Sequence, residues 1–550
     1  MLDSGGMLMP LCLPHPEQTD SFQDMMRFAH RLAAALGVLL PAVPVAAHTQ
    51  TTPARPTLVV LITVDQFRGD YIDRFGSQLH GGLARLSRGG AWFTNAHHDH
   101  AITETAPGHA TLLSGRFPRS TGIMMNRAGV EDEASPLIAG GVGPGASPKR
   151  FIGTTLVDWL ALSDSKSRAF SVSTKDRGAI LPVGKSRSNV YWYSLDGRFT
   201  TSSYYRDTLP PWVTEWNSRQ LPQTYAGKEW DLLLPEKSYA EPDSVPAEGN
   251  GTGFTFPHYL PDDPGVSVNI MRGTPFIDEI SVSFALHGVQ ALKLGAGPQT
   301  DVLSISLSAT DYIGHRYGPD SREIHDQILR LDRLLGTFLD SLYRLRDSSR
   351  VTIVLTGDHG IGSMPELAPA GMTPAPTRVS IAALIPVLHA GLREAKVDTN
   401  AIDIDQQIVL ADRAAFTRAG VNADSVLAVF ASAVRGVPGV RRVDRFQALL
   451  ADTLSDPVAR RWSHQFPANV SVELVITLTP LSIWRGNIAT HGSPYDFDSN
   501  VPLIFFGAGV RPGKHAEFVR TVDLAPTLAV LAGVKPTQPI DGVVLQAAIR

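Results

Sequence analysis

A chain of 550 residues is too long for one simple core, so one large domain with big insertions, or two domains, is expected. The composition, 43% hydrophobic and 19% charged with a formal net charge of -4, is that of an ordinary soluble globular protein. It offers no basic excess for nucleic acid and no acidic tail, and a single cysteine excludes a disulfide framework and a thiolate zinc site.

Residues 1–24 carry Asp3, Glu17, Asp20 and Asp24 but no Lys or Arg, the wrong start for an export signal. From Met25 or Met26 the pattern fits one. Arg27 and Arg31 form a basic region, Leu32 to Leu40 a short apolar core, and Val45-Ala46-Ala47 a small-residue cleavage site. The initiator is therefore expected at Met25 or Met26, with 1–24 a gene-start artefact. Residues 25–47 are then a cleaved signal peptide, directing the chain to the periplasm or the exterior. Cys12 falls in the discarded part. The apolar core, broken by Pro41 and Pro44, is too short for a membrane span.

Thr57–Thr63 is a nearly continuous β-branched and Leu run, the pattern of a strand buried on both faces, and it ends in Val64-Asp65-Gln66. A carboxylate just past such a strand sits where open α/β sheets build their sites, although Asp65 alone reads equally well as a cap. Residues 78–93 read as a helix leading into a short strand. His97, His98 and His100 follow, too tightly spaced on an extended chain for one metal, and they are expected as supporting or surface residues. Then comes T-E-T-A-P-G-H-A-T-L-L-S-G over 103–115, with Pro107 suited to a helix's first turn. A threonine at that helix start, Thr105, is either an N-cap or a nucleophile beside the positive end of the dipole.

Asn126 lies in a loop, and the Gly/Pro/Ser-rich 131–149 segment is expected to be exposed. A helix over Thr155–Leu162 precedes a strand, Phe170–Ser173, that delivers Lys175 and Arg177 into a turn. Two apart on an extended segment, they project to one side, although K-D-R alone reads as a solvated turn. The Trp/Tyr-rich 189–260 region shows little periodicity and reads as irregular scaffold. Asp301–Thr310 is a second buried strand, followed by Asp311 and His315; Ile324 to Leu345 is a strongly amphipathic helix. Val351–Thr356 is a third strand, ending in Gly357-Asp358-His359, and a mixed insertion over 376–485 leads to His491. Val501–Phe506 is a fourth strand, and Thr521–Gly533 a closing helix. The fold expected is α/β, a central mostly parallel β-sheet flanked by helices over 57–550, with large inserted cap regions at about 178–298 and 376–485.

Asp65, Asp311, His315, Asp358, His359 and His491 give six N/O donors at one sheet edge, enough for two zinc-like ions of about three protein ligands each. Such a pair clamps the attacking and leaving oxygens of an in-line displacement at phosphorus, and a hydroxyl held there becomes a nucleophile. Lys175, Arg177 and Asn126 offer two cations and an amide donor for the transferred group.

The order Asp…T-x-P-G-H…Asn…K-x-R…D-x-x-x-H…D-H…H-G resembles the alkaline phosphatase superfamily. Within it, the chain is most similar to the Thr-nucleophile, periplasmic alkaline phosphatases of the PafA/PhoK type, related to nucleotide pyrophosphatase/phosphodiesterases. The resemblance runs from V-D-Q-F-R-G-D at Val64 to H-G-S-P-Y at His491. It implies a zinc-dependent phosphate monoester hydrolase with Thr105 as nucleophile, forming a phospho-threonine intermediate. Asp311, His315 and His491 would hold one zinc; Asp65, Asp358 and His359 would hold the other, with Thr105 bound to it. Asn126, Lys175 and Arg177 would contact the phosphate. Other divalent ions suit the same donors. A phosphodiesterase or nucleotide pyrophosphatase is the alternative, and the K-x-R pair, which rewards the monoester's extra charge, separates the two. The expected partners are small phosphate esters, and the chain is expected to be a monomer.

Overall fold

Every residue of strand β1 (Leu58–Val64) is buried, and its side chains alternate between two cores. Leu58, Val60, Ile62 and Val64 join Phe67, Ile324 and Ile328 on one face, whereas Val59 and Leu61 join Ala106, Ala110 and Leu112 on the other. Apolar residues at both parities are what a central strand covered on each side requires. The computed structural model describes residues 55–127, 129–451 and 453–550. The start-codon, signal-peptide and cleavage-site expectations lie outside the described residues.

The central sheet contains β1, β2 (Ala91–His97), β3 (Ala169–Ser173), β4 (Asn189–Tyr193) and β5 (Phe199–Thr200). It continues with β6 (Asp301–Leu307), β7 (Val351–Gly357), β8 (Asn500–Gly507), β9 (Gly513–His515) and β10 (Val519–Arg520). The order is β9-β2-β8-β7-β1-β6-β3-β4-β5, with β10 also on β2. The run β7-β1-β6-β3-β4 is parallel. Its register puts Val64 level with Leu307 and with Gly357, and Ser173 level with Ser306. The chain therefore leaves β1, β6 and β7 at one level, and Asp65 and Asp358 are the next residues out.

The fourth strand expected from the sequence is β8, and it runs antiparallel to both β7 and β2. Its entry, not its exit, consequently lies at the site edge, which brings His491 there from the loop before the strand. Residues 189–200, expected as irregular chain, extend the sheet as β4 and β5. Tyr191, Phe199, Trp216 and Trp230 are buried in the main core, which makes this region scaffold. The 376–485 insertion builds its own antiparallel sheet, Ile402–Asp405, Ile408–Ala411, Val472–Leu478 and Val440–Arg445 in that order. Its core includes Leu427 and Phe430 from the helix Ala423–Arg435. The 131–149 segment is only partly exposed, because Asp132 is buried and accepts from Ser135, Ser147 and Lys149. No helix among the described residues is long and apolar enough to cross a membrane.

Candidate active site

Helix α1 (Thr105–Leu112) is buried along its whole length. Thr105 is its first helical residue; the N-cap is Glu104, in extended conformation and making no side-chain cap. The N-cap role considered for Thr105 therefore falls to its neighbour, and the Thr105 hydroxyl is left for other work. The Ala106 N–H, one of the donors a helix start leaves unpaired, is taken at 2.9 Å by Asn126 Oδ1. That bond turns the Asn126 amide so that its NH2 is the end free for a ligand. Asn126 is anchored in turn by its own N–H, which donates to Glu104 Oε2 at 2.6 Å.

The P-G-H part of the motif docks this helix on the strand ends. A side chain at Gly108 would bring a Cβ to 2.2 Å from the Asp358 carbonyl oxygen, so only glycine permits the approach. His109 Nδ1 lies 2.9 Å from the Thr105 carbonyl and 3.1 Å from Asp358 Oδ2, while Nε2 bonds Ser306 Oγ on β6 at 2.9 Å. One imidazole thus ties the Thr105 turn to two strands.

Asp311 and His315 sit on helix α3 (Ala309–Tyr317), one turn apart on the same face, with His315 Nε2 at 3.3 Å from Asp311 Oδ1. His491 Nε2 is 3.6 Å from that oxygen and 3.2 Å from His315 Nε2. His359 Nε2 lies 3.5 Å from Asp65 Oδ1 and 3.7 Å from Asp358 Oδ2. Each of the three histidines spends Nδ1 on a backbone carbonyl: Ala489 for His315, Thr103 for His491, Gly360 for His359. A carbonyl only accepts, so each Nδ1 carries a proton and a neutral ring turns its Nε2 lone pair inward; burial opposes the charge on His315, but Asp311 holds its pKa above the usual value. Burial, then the neighbouring imidazoles, hold His491 well below its usual pKa, and burial lowers His359 too. Neutral imidazoles with outward-anchored Nδ1 are the form that ligates metals.

Two groups of donors lie within 4.8 Å of one another: Asp311, His315 and His491, and Asp65, Asp311 and His359. Asp311 belongs to both. Asp358 stands beside the second, its Oδ1 accepting the Gln66 N–H at 3.0 Å. Among the described residues Asp65 Oδ1 and His359 Nε2 are buried without hydrogen-bond partners, and Asp358 Oδ2 has only His109 Nδ1 at 3.1 Å. Orphaned lone pairs of this kind, facing one another in a dry site, fit divalent cations.

Lys175 reaches into the same cluster from the end of β3. Its ammonium is 2.7 Å from Asp65 Oδ2, 2.5 Å from Asp311 Oδ2 and 3.4 Å from Thr105 Oγ1. Burial opposes that charge, but the carboxylates of Asp311 and Asp65 hold the lysine above its usual pKa. Asp311 is correspondingly held well below the carboxylate range by Lys175 and His315 against the cost of burial. Asp65 is pushed up by burial and by the charges of Asp311 and Asp358. The expectation that Lys175 and Arg177 share an extended segment does not hold. Lys175 is extended, but Arg177 lies in the short helix α2 (Asp176–Ile180) and stays half-buried beside Asp176. Its Nε has no partner.

His97, His98 and His100 are all buried, and His98 braces the site from behind by bonding the Gly357 carbonyl at 2.9 Å. Sequence reasoning missed Gln66. Its backbone is left-handed at φ 64, a conformation that favours glycine, and its Nε2 donates to Asp311 Oδ1 at 2.9 Å. Gly314 leaves room for it, because a Cβ there would meet Gln66 Oε1 at 1.8 Å. Also missed was Tyr312, whose ring lies 5.2 Å from the Lys175 ammonium.

Residues 59–374 match the family model described as type I phosphodiesterase / nucleotide pyrophosphatase. Alkaline phosphatase PhoV of Synechococcus elongatus is 31% identical over 525 residues, 91% of this chain and 94% of that protein. Alkaline phosphatase PafA of Elizabethkingia meningoseptica is 29% identical over 521 residues, 90% of this chain and 95% of its own. The crystal structure of wild-type PafA superposes with a TM-score of 0.83 at 28% identity, covering 90% of this chain and 99% of that one. A solved PafA variant, TM-score 0.84, carries substitutions at a threonine, an asparagine, a lysine and an arginine.

Proposed function

The chain belongs to the type I phosphodiesterase / nucleotide pyrophosphatase family, among its alkaline phosphatases, and we propose that it is an exported zinc-dependent phosphomonoesterase acting through a phospho-threonine. The observation that carries the reading is the convergence of three carboxylates and three Nε2 lone pairs on one edge, with Thr105 Oγ1 3.4 Å from the Lys175 ammonium. In this reading Asp311, His315 and His491 hold one ion, and Asp65, Asp358, His359 and Thr105 the other. Bound there, two zinc ions would supply the positive charge that lowers a hydroxyl's pKa and stabilises a departing alkoxide.

The remaining work falls to side chains. Thr105 Oγ, its proton released to solvent, forms the bond to phosphorus as the ester P–O bond opposite breaks; the alkoxide leaves with the bonding pair and takes a proton from water to become the alcohol. Water then cleaves the Oγ–P bond, releasing inorganic phosphate and restoring the hydroxyl. Lys175, Arg177 and the Asn126 NH2 neutralise and orient the oxygens that stay on phosphorus. His109 and Gly108 hold the helix so that Thr105 is in line. The threonine, asparagine, lysine and arginine substituted in the PafA variant are the same four residue types.

The family description itself favours a second reading, hydrolysis of diesters or pyrophosphates. The kcat/KM ratio for p-nitrophenyl phosphate against bis-p-nitrophenyl phosphate, with zinc at alkaline pH, separates the two. Preference for the monoester is expected. Preference for the diester would leave metals and Thr105 in place and remove Lys175 and Arg177 from the substrate's reach.

A further inference from the structure

Beyond Lys175, the ring of Tyr312 is shared by a second cation. Arg272 Cζ lies 5.3 Å from the Tyr312 centroid, and the Lys175 ammonium lies 5.2 Å from the same point. Arg272 comes from the turn Met271–Gly273, which packs on helix α3, so the fold rather than chance side-chain reach places it at the rim. Its Nε donates to the Asn269 carbonyl at 3.2 Å, which fixes the guanidinium plane. Among the described residues no carboxylate pairs with it, and neither its Nη groups nor the Tyr312 hydroxyl is hydrogen-bonded. Tyr312 is within electrostatic reach of Arg177 as well as Lys175, and the Arg177 Nε is likewise without a partner.

One phosphate held against Thr105 accounts for Lys175 and, through it, Arg177. It does not account for a third cation behind the tyrosine ring. Lys175 is already paired with Asp65 and Asp311, and Arg177 with Asp176, whereas among the described residues Arg272 has no carboxylate against it. A partly buried, unpaired guanidinium with its plane already fixed favours a carboxylate or phosphate, which it binds through two parallel N–H bonds. We propose that Arg272 and the Tyr312 hydroxyl form a second anion subsite, selecting phosphate monoesters whose alcohol carries a further anionic group. This rests on the phosphomonoesterase reading and adds a substrate class to it.

The test compares three esters on one three-carbon skeleton: glycerol phosphate, phosphoglycerate and glycerol bisphosphate. The native chain is expected to give the two doubly anionic esters the higher kcat/KM, mainly through KM. In Arg272→Ala the ratio of either to glycerol phosphate falls at least tenfold, and Arg272→Lys recovers part of it. Loss with phosphoglycerate alone identifies a carboxylate subsite; loss with the bisphosphate alone identifies a phosphate one. A ratio within twofold of native in Arg272→Ala overturns the proposal, as does an equal fall on all three esters, which would make Arg272 a prop for Tyr312. Hydrolysis of glycerol phosphate by the native chain reports separately on the underlying reading, and a native chain inert on all three esters overturns both.

Discussion

The double variant Lys175→Ala/Arg177→Ala tests the phosphate-binding assignment most directly. A monoester dianion carries one negative charge more than a diester. At about 4 Å and an effective dielectric near 20, each cation gains roughly 4 kcal/mol per unit of ligand charge before desolvation. After desolvation, a charge-assisted hydrogen bond retains about 1.5–3 kcal/mol. Losing two such contacts should therefore cost the monoester about 3–6 kcal/mol, a hundredfold to ten-thousandfold in kcat/KM. The diester, with about half the charge, should lose about half that free energy. The monoester-to-diester ratio is expected to fall by roughly tenfold to a hundredfold. Lys175 also touches Asp65 and Asp311 at 2.7 and 2.5 Å, so zinc content is measured on the same preparations. Arg177→Ala alone, whose guanidinium pairs among the described residues with Asp176 and not with Asp65 or Asp311, keeps the result interpretable if zinc is lost. An unchanged ratio with zinc retained refutes the assignment.

Thr105→Ala should abolish turnover and acid-stable phosphate labelling while zinc binding, measured by elemental analysis, stays close to native. Chelation should inactivate the enzyme and lower its melting temperature, and zinc should restore both; saturation at about a thousand times Kd is worth about 4 kcal/mol of stability. Gly108→Ala, which forces a Cβ to 2.2 Å from the Asp358 carbonyl, should lower both thermal stability and kcat, and native values for both would contradict the docking described. Asp278 is buried, accepts from the Ala309 N–H and Gln327, and is pushed up to about 7 by burial. The folded state therefore binds its proton more tightly than the unfolded chain, where the pKa is about 4. That contribution to stability is full below about pH 4 and is lost as the pH rises to 7, by at most about 4 kcal/mol. Asp278→Asn should accordingly be more favourable at pH 8 than at pH 5 in urea denaturation, and an equal effect at both would contradict the assignment.

The parallel strands were legible because burial on both faces leaves short runs rich in β-branched residues and Leu, at 57–63 and 351–356 and, interrupted by Ser304 and Ser306, at 301–307. The Asp and His residues just past them were legible for the same reason, since a strand's end in such a sheet is a site by position. What escaped depends on contacts between distant segments. Gln66 adopts a left-handed backbone that its own sequence does not call for, imposed by the Asp311 and Asp358 carboxylates it serves. Asn126 was picked out as an amide donor, but its Oδ1 accepting the Ala106 N–H was not legible. Arg177 looked extended because three residues of K-D-R carry no periodicity, and the helix in which it is the second residue is only five residues long. The direction of β8 was also invisible, because a buried run reads the same both ways.

The same geometry separates two functions within one site. In the proposed reading the metal donors come from the exits of β1 and β7, from α3 and from the loop entering β8. Lys175 and Arg177 come from one strand–helix junction at the end of β3, which meets that cluster only through the Lys175 ammonium. Substitution of Arg177 at this junction should change how strongly an extra negative charge on the substrate is rewarded without touching Asp65 or Asp311, whereas substitution of Lys175 disturbs both. Thr105, tied through His109 to Asp358 and Ser306, stays with the metal donors whichever ester is preferred. In that reading, passing between monoester and diester hydrolysis calls for a change in the cations at the β3 junction rather than in the fold or in Thr105.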